Sequence, residues 1–221
     1  MSGLNQWVRQ TVLAPWVSVK GSPRQPAIAL TFDDGPHPEV TPAVLDVLAR
    51  HGVQASFFCV GERLAAQPAL AARLRHEGHE IANHSMSHAE FAHIGGPAIA
   101  AELDQAFALR DEAGRPWMVP HLLRPPKGVL NGKVLQYCIT RGIRVVHWSR
   151  DPEDYAAHNA ASVLQHFDAR PLAAGDIVLL HDKMPHSAAT TDALIRQAQA
   201  SGLRCVTVSA LLGLKPAPPA A

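Results

Sequence analysis

Short, unbroken apolar runs alternate along almost the whole chain with longer segments whose apolar residues recur every three or four positions. The first run, Ala27 to Phe32, is bulky and continuous enough for a strand covered on both faces, and Gly35-Pro36 marks its stop. Later runs predict strands over 55–60, 79–83, 121–123, 143–148, 176–181 and 203–208. Helical periodicity between them predicts helices over 41–51, 68–77, 97–113, 131–141, 162–169 and 190–200, with a short closing turn over 211–214. Thr41 as cap and Pro42 in the first turn start the first helix, and Gly52 ends it.

Seven strands alternating with helices imply right-handed crossovers and a parallel sheet, either an open doubly wound sheet or an incomplete barrel. No dinucleotide fingerprint follows the first strand and no Walker loop occurs, which removes the best support for a nucleotide-binding sheet. The 221 residues, 47% hydrophobic, suit one domain over 26–214. Residues 1–25 are expected to form a helix, with Leu4, Trp7, Val8 and Val12 on one face, and a linker. That helix would pack on the domain's open edge or make peripheral contact with a membrane surface. Residues 215–221, rich in Pro and Ala, are expected to be a disordered tail.

Charge and composition narrow the partners. A net charge of +1, scattered Lys and Arg, and 5% aromatic residues argue against a nucleic-acid binder. Cys59, Cys138 and Cys205 form no Cys-x-x-Cys pair and read as core residues of a reducing compartment. With neither a signal peptide nor a transmembrane segment visible, a cytoplasmic location is expected. Of thirteen histidines, His51, His76, His121, His158, His166 and His186 have no ligand partner at a telling spacing.

Candidate chemistry gathers at the strand ends. Asp33-Asp34 ends the first strand, His84-Ser85-Met86-Ser87-His88 follows the third, and Arg124-Pro125-Pro126-Lys127-Gly128 the fourth. Asp151-Pro152-Glu153-Asp154-Tyr155 comes after the fifth, and His181-Asp182 closes the sixth. In parallel α/β folds these ends share one rim, where active sites are built. Adjacent carboxylates repel unless a cation or a proton is shared between them. His84 and His88, four apart, would point together on a helical turn, and a carboxylate would complete a His-His-Asp metal set with open positions. Zinc is the default ion for such a set, with nickel, cobalt, manganese and iron compatible. Whichever of Asp33 and Asp34 does not bind metal can act as base, Arg124 can hold a carboxylate ionised, and His181 can be an acid if Asp154 keeps it protonated.

Taken together, the motifs over 31–36, 84–88, 124–128 and 180–182 resemble the polysaccharide deacetylases with a NodB-type domain, carbohydrate esterase family 4. Ala55-Ser56-Phe57-Phe58, Gly78-His79-Glu80-Ile81 and Val206-Thr207-Val208-Ser209 fit as well. The resemblance implies a distorted, incomplete (β/α) barrel of about seven parallel strands that hydrolyses the N-acetyl group of an amino sugar. By motif position it implies Asp33 as general base, and Asp34, His84 and His88 as ligands of one divalent metal. It further implies that Arg124 orients Asp33, and that the Lys127 backbone N–H helps hold the oxyanion. His181, tethered by Asp154, would protonate the amine, and Leu179 or Leu180 would line the acetyl pocket. Lys127 stands where the family often has Tyr, and Tyr155 where it often has Trp. Both positions would face the substrate, so substrate shape is expected to differ.

The expected activity is therefore metal-dependent N-deacetylation of an oligosaccharide or glycan precursor. A deacetylase or deformylase of a lipid- or nucleotide-linked amino sugar, with Lys127 meeting a phosphate, is the alternative. A mononuclear iron oxygenase and a non-catalytic sugar-binding domain are the remaining classes; the order of the motifs argues against the first, and the full set of candidate catalytic groups against the second.

Overall fold

In the computed structural model, which describes residues 15–214, every regular strand pairing is parallel and the sheet curls into an incomplete barrel. The elements run β1 (Val17–Ser18), β2 (Ala27–Asp33), α1 (Val40–His51), β3 (Ser56–Cys59), α2 (Gly61–Ala66), α3 (Pro68–His76), β4 (Glu80–Asn83) and α4 (Gly96–Phe107). They continue with β5 (Leu122–Leu123), a 3-10 turn (Pro126–Gly128), α5 (Gly132–Arg141), β6 (Arg144–Val146), α6 (Ala160–Gln165), β7 (Ile177–His181), α7 (Ser187–Ala200), β8 (Arg204–Cys205) and α8 (Val208–Leu212). The strand order is β1-β6-β5-β4-β3-β2-β7, with β8 beside the start of β2. Between β6 and β7 the curl is bridged irregularly: Ser149 N–H donates to Ile177 O and Leu179 N–H to Arg150 O. The helix expected near the N-terminus and the tail over 215–221 lie outside the described residues.

Strand alternation makes two cores. Ile28, Leu30 and Phe32 point outward and pack with Val44, Leu45, Leu48 and Leu194 of the helices. Ala27 and Ala29 point inward with Phe58, Ala82, Leu122, Val146 and Ile177. Helix α8 joins that inner cluster through Val208 and Leu211 and closes the barrel's lower end. The same parity carries upward to Asp33, Arg124 and His181, so the residues above the inner core are the polar ones.

Several sequence expectations are corrected. The 203–208 run shortens to β8 because the Thr207 side chain accepts from Ala210 N–H and starts α8. The 97–113 helix ends at Phe107, since the Asp111 carboxylate accepts from the Ala113 and Arg115 N–H groups and holds a turn instead. Thr41 is not a cap: it lies inside α1, where its hydroxyl accepts from His37 N–H at 2.7 Å and donates to Asp182 at 2.5 Å. Strand β1 and helix α2 were not expected; both are too short to show a period.

Candidate functional site

The site grows from the carboxyl ends of β2, β4, β5 and β7. Among the described residues, five non-glycine residues have positive φ, namely Asp34 (74°), Ser85 (68°), His88 (62°), Lys127 (54°) and Glu153 (51°), and all five lie in the loops leaving these ends or in the segment after β6. Left-handed backbone at such residues costs energy that the surrounding contacts must offset.

At β2 the two aspartates separate. Asp33 completes the strand and its Oδ1 accepts from Arg124 at 2.6 Å. Asp34 turns away on its positive φ, and its Oδ1 lies 3.5 Å from His84 Nε2 and 3.2 Å from His88 Nε2. Burial alone would raise the Asp34 carboxyl, but bonds from His84 and His88, the His84 charge and Lys183 hold it far below the usual carboxylate range.

The two histidines converge without a helix. His84 leaves β4, Ser85 has positive φ, and Ser85 Oγ accepts from His88 N–H at 2.9 Å, which folds the loop back on itself. The His84 Nδ1–H donates to Arg124 O at 2.7 Å, leaving Nε2 for a metal. Glu102 braces the loop, accepting from the Met86 and Ser87 N–H groups and the Ser87 hydroxyl. One donor atom from each of Asp34, His84 and His88 lies within 4.8 Å of the others, and among the described residues no other such group of three occurs. Two imidazoles and one carboxylate, one fewer than the four ligands of a closed structural zinc site, fit a divalent ion with an open position.

Arg124 is fully buried and serves four acceptors: Asp33, Thr31 Oγ1 at 2.8 Å, Val146 O at 3.0 Å and His147 O at 3.1 Å. Its guanidinium lies 4.1 Å over the Phe58 ring. Burial pulls its pKa down and the Asp33 charge opposes that. Opposite, both Asp154 oxygens hold His181, one facing Nδ1 and one the backbone N–H, each at 2.7 Å. Burial would lower the His181 pKa, but the hydrogen bond and charge of Asp154, then the charges of Asp33 and Asp34, raise it overall. The half-exposed Tyr155 ring meets the His181 ring edge-on at 5.6 Å.

Three expected site residues are placed differently from one another. Leu179 pairs with Thr31, and so shares the inner face of Asp33 and His181, whereas Leu180 packs in the outer core with Phe32. Leu180 therefore does not face the site. The Lys127 ammonium pairs with the Glu90 carboxylate rather than standing open for a phosphate. Its N–H finds no acceptor among the described residues.

Lys183 was missed. Its Nζ lies 2.5 Å from Asp34 Oδ2, the oxygen turned from the histidines. Its place directly after His181-Asp182 was the signal available. Asp182 was also unassigned: burial, with the Asp34 and Asp33 charges adding and the Thr41 bond opposing, pushes its carboxyl up to about 7. It packs against Gly35, where an added Cβ would lie 2.5 Å from Asp182 Cγ and closer still to both oxygens. Gly35→Ala should therefore destabilise the fold by about 1–3 kcal/mol through overpacking. Urea unfolding checks this, with Gly96→Ala, where an added Cβ meets nothing within 4 Å, as the control.

The sequence profile of the polysaccharide deacetylase family matches residues 20–146. A chitooligosaccharide deacetylase of Rhizobium leguminosarum bv. trifolii is 39% identical over 192 residues, 86% of this chain and 84% of the relative. A peptidoglycan-N-acetylglucosamine deacetylase of Bacillus cereus is 36% identical, over 85% of this chain and 89% of the relative. Among solved structures, a peptidoglycan N-acetylglucosamine deacetylase in complex with 4-naphthalen-1-yl-N-oxidanyl-benzamide superposes with a TM-score of 0.86 at 27% identity, covering 95% of this chain and 99% of that one.

Proposed function

Because the chain belongs to the polysaccharide deacetylase family, we propose that it is a metal-dependent hydrolase that removes the N-acetyl group from an N-acetylated amino sugar. One observation carries this reading: the Asp34, His84 and His88 donors, an Arg124-held carboxylate and an Asp154-held imidazole meet at one rim of the barrel.

Zinc is the proposed ion, from two imidazoles and one carboxylate. A divalent ion held by Asp34, His84 and His88 supplies Lewis acidity toward the amide carbonyl and the attacking water. Asp33 Oδ1 is occupied by Arg124, which leaves Oδ2 to take the water's proton. The Lys127 N–H donates to the carbonyl oxygen as negative charge develops there. His181, with Nδ1 committed to Asp154, gives the Nε2 proton to the amine nitrogen as the C–N bond breaks. Leu179 lines the space for the acetyl methyl, and Tyr155 offers an aromatic face to the sugar.

Incubating metal-reconstituted protein with a panel of acetylated and formylated amino sugars should remove one acetyl mass, read by mass spectrometry; an intact panel would overturn the proposal. His84→Ala and His88→Ala should each weaken metal binding by more than about 100-fold, since removing even an outer hydrogen-bond partner costs 10- to 100-fold. Metal content after dialysis checks this, and full occupancy in either variant would remove that histidine from the ligand set.

His181 must be protonated to release the amine, so the rate falls as pH rises through its pKa. Asp154 raises that pKa. Asp154→Asn should therefore move the basic limb of the pH–rate profile to lower pH. An unmoved limb would mean that a different group limits the rate there.

A further inference from the structure

Beside the metal-ligand set lies a recess of about 410 Å³ whose polar lining consists of Arg63, Lys183, His37 and Gln67, between Pro36 and Pro38. No acidic residue lines it: Glu39, Glu62 and Asp182, each next in sequence to a lining residue, stay outside. Both cations are anchored on Asp34. Lys183 holds Oδ2 and Arg63 donates to the backbone oxygen, which ties the two cations of the recess to the carboxylate of the ligand set.

The donors are only partly used. Arg63 makes one bond through a single terminal nitrogen and has no acidic partner among the described residues, so the rest of its fork is open. Lys183 spends one proton on Asp34 Oδ2 and keeps two. His37 Nδ1 accepts from the Glu39 and Val40 N–H groups, each at 3.3 Å, which puts its proton on Nε2. A neutral sugar ring is read by a mixture of donors and acceptors. A surround whose charged and imidazole groups only donate matches an oxyanion, and an arginine fork with a lysine point charge is the pairing that carboxylates and phosphates use.

We propose that Arg63, Lys183 and His37 form an anion subsite that binds a carboxylate or phosphate carried by the substrate, on the Asp34 side of the ligand set. The proposal rests on the deacetylase reading and specifies its substrate class: an acylated amino sugar that is itself acidic or linked to an acidic group. It also relocates the phosphate contact expected at Lys127, whose ammonium is paired with Glu90.

The test measures equilibrium binding to the metal-loaded Asp33→Asn protein, in which turnover is suppressed. The ligands are N-acetylglucosamine, N-acetylmuramic acid and N-acetylglucosamine 1-phosphate. At least one charged sugar should bind about tenfold or more tightly than the neutral one, the scale of a charge-assisted hydrogen bond. Adding Arg63→Gln should bring that ratio to about 1, and Arg63→Lys should restore part of it. Preference between the two acids separates a carboxylate from a phosphate source. Equal binding of all three sugars, or an unchanged ratio in Arg63→Gln, would overturn the subsite. Acetate release by the wild-type chain is read separately. Anion preference without any release would keep the subsite and reject the deacetylase, while release with equal binding of all three would do the reverse.

Discussion

Asp33→Asn should lower the rate of acetate release by about 10²- to 10⁴-fold, the range spanned by a positioned general base, while the metal stays bound. The substitution keeps the side chain's shape and removes its capacity to take a proton. Metal retention is expected because Asp33 stands apart from the ligand set: its Oδ2 is 3.8 Å from His84 Nε2, whereas Asp34 Oδ1 lies nearer to both histidines. Metal content and acetate release measured on one preparation distinguish the roles. A variant that lost both would make Asp33 a ligand, and one that kept normal turnover would remove it from the mechanism.

Arg124→Leu should destabilise the fold by about 3–5 kcal/mol, the cost of leaving one partner of a buried ion pair without the other. The guanidinium is fully buried and bonds a carboxylate, a hydroxyl and two carbonyl oxygens drawn from β2 and the β6 segment. Leucine fills some of the volume over Phe58 but satisfies none of those acceptors. Urea unfolding measures the loss. The double variant Asp33→Asn/Arg124→Leu should recover part of it, since the stranded charge is then gone and only the unpaired polar atoms remain. No recovery would mean that the pair itself contributes little. Arg124→Lys should fall between, because one ammonium cannot span four acceptors arranged around a planar fork.

Much of this was readable in the chain because its signals are local. The strand over 27–33 was visible as an apolar run ended by Gly35-Pro36, and α5 matched its expected span to within one residue, with Asn131 as cap. The 97–113 helix was overextended because periodicity continues past Phe107, while the turn at Asp111 depends on one carboxylate choosing two backbone N–H groups. His84 and His88 drew notice through a helical spacing, yet they meet through a loop with two positive-φ residues. Leu179 and Leu180 could have been separated by counting back two from His181, since strand side chains alternate.

By itself the sequence determined the alternation of strands and helices and the order of the polar clusters, because the period of hydrophobic residues and turn chemistry act over a few positions. The tertiary structure decided which groups share a charge. Arg124 reaches Asp33 across 91 positions, and Lys183 reaches Asp34 across 149. It also decided that Lys127 is held by Glu90 while Arg63 and Lys183 are both drawn to Asp34. Electrostatic partnership falls off over ångströms in space, and only the curl of the sheet brings these strand ends within that range.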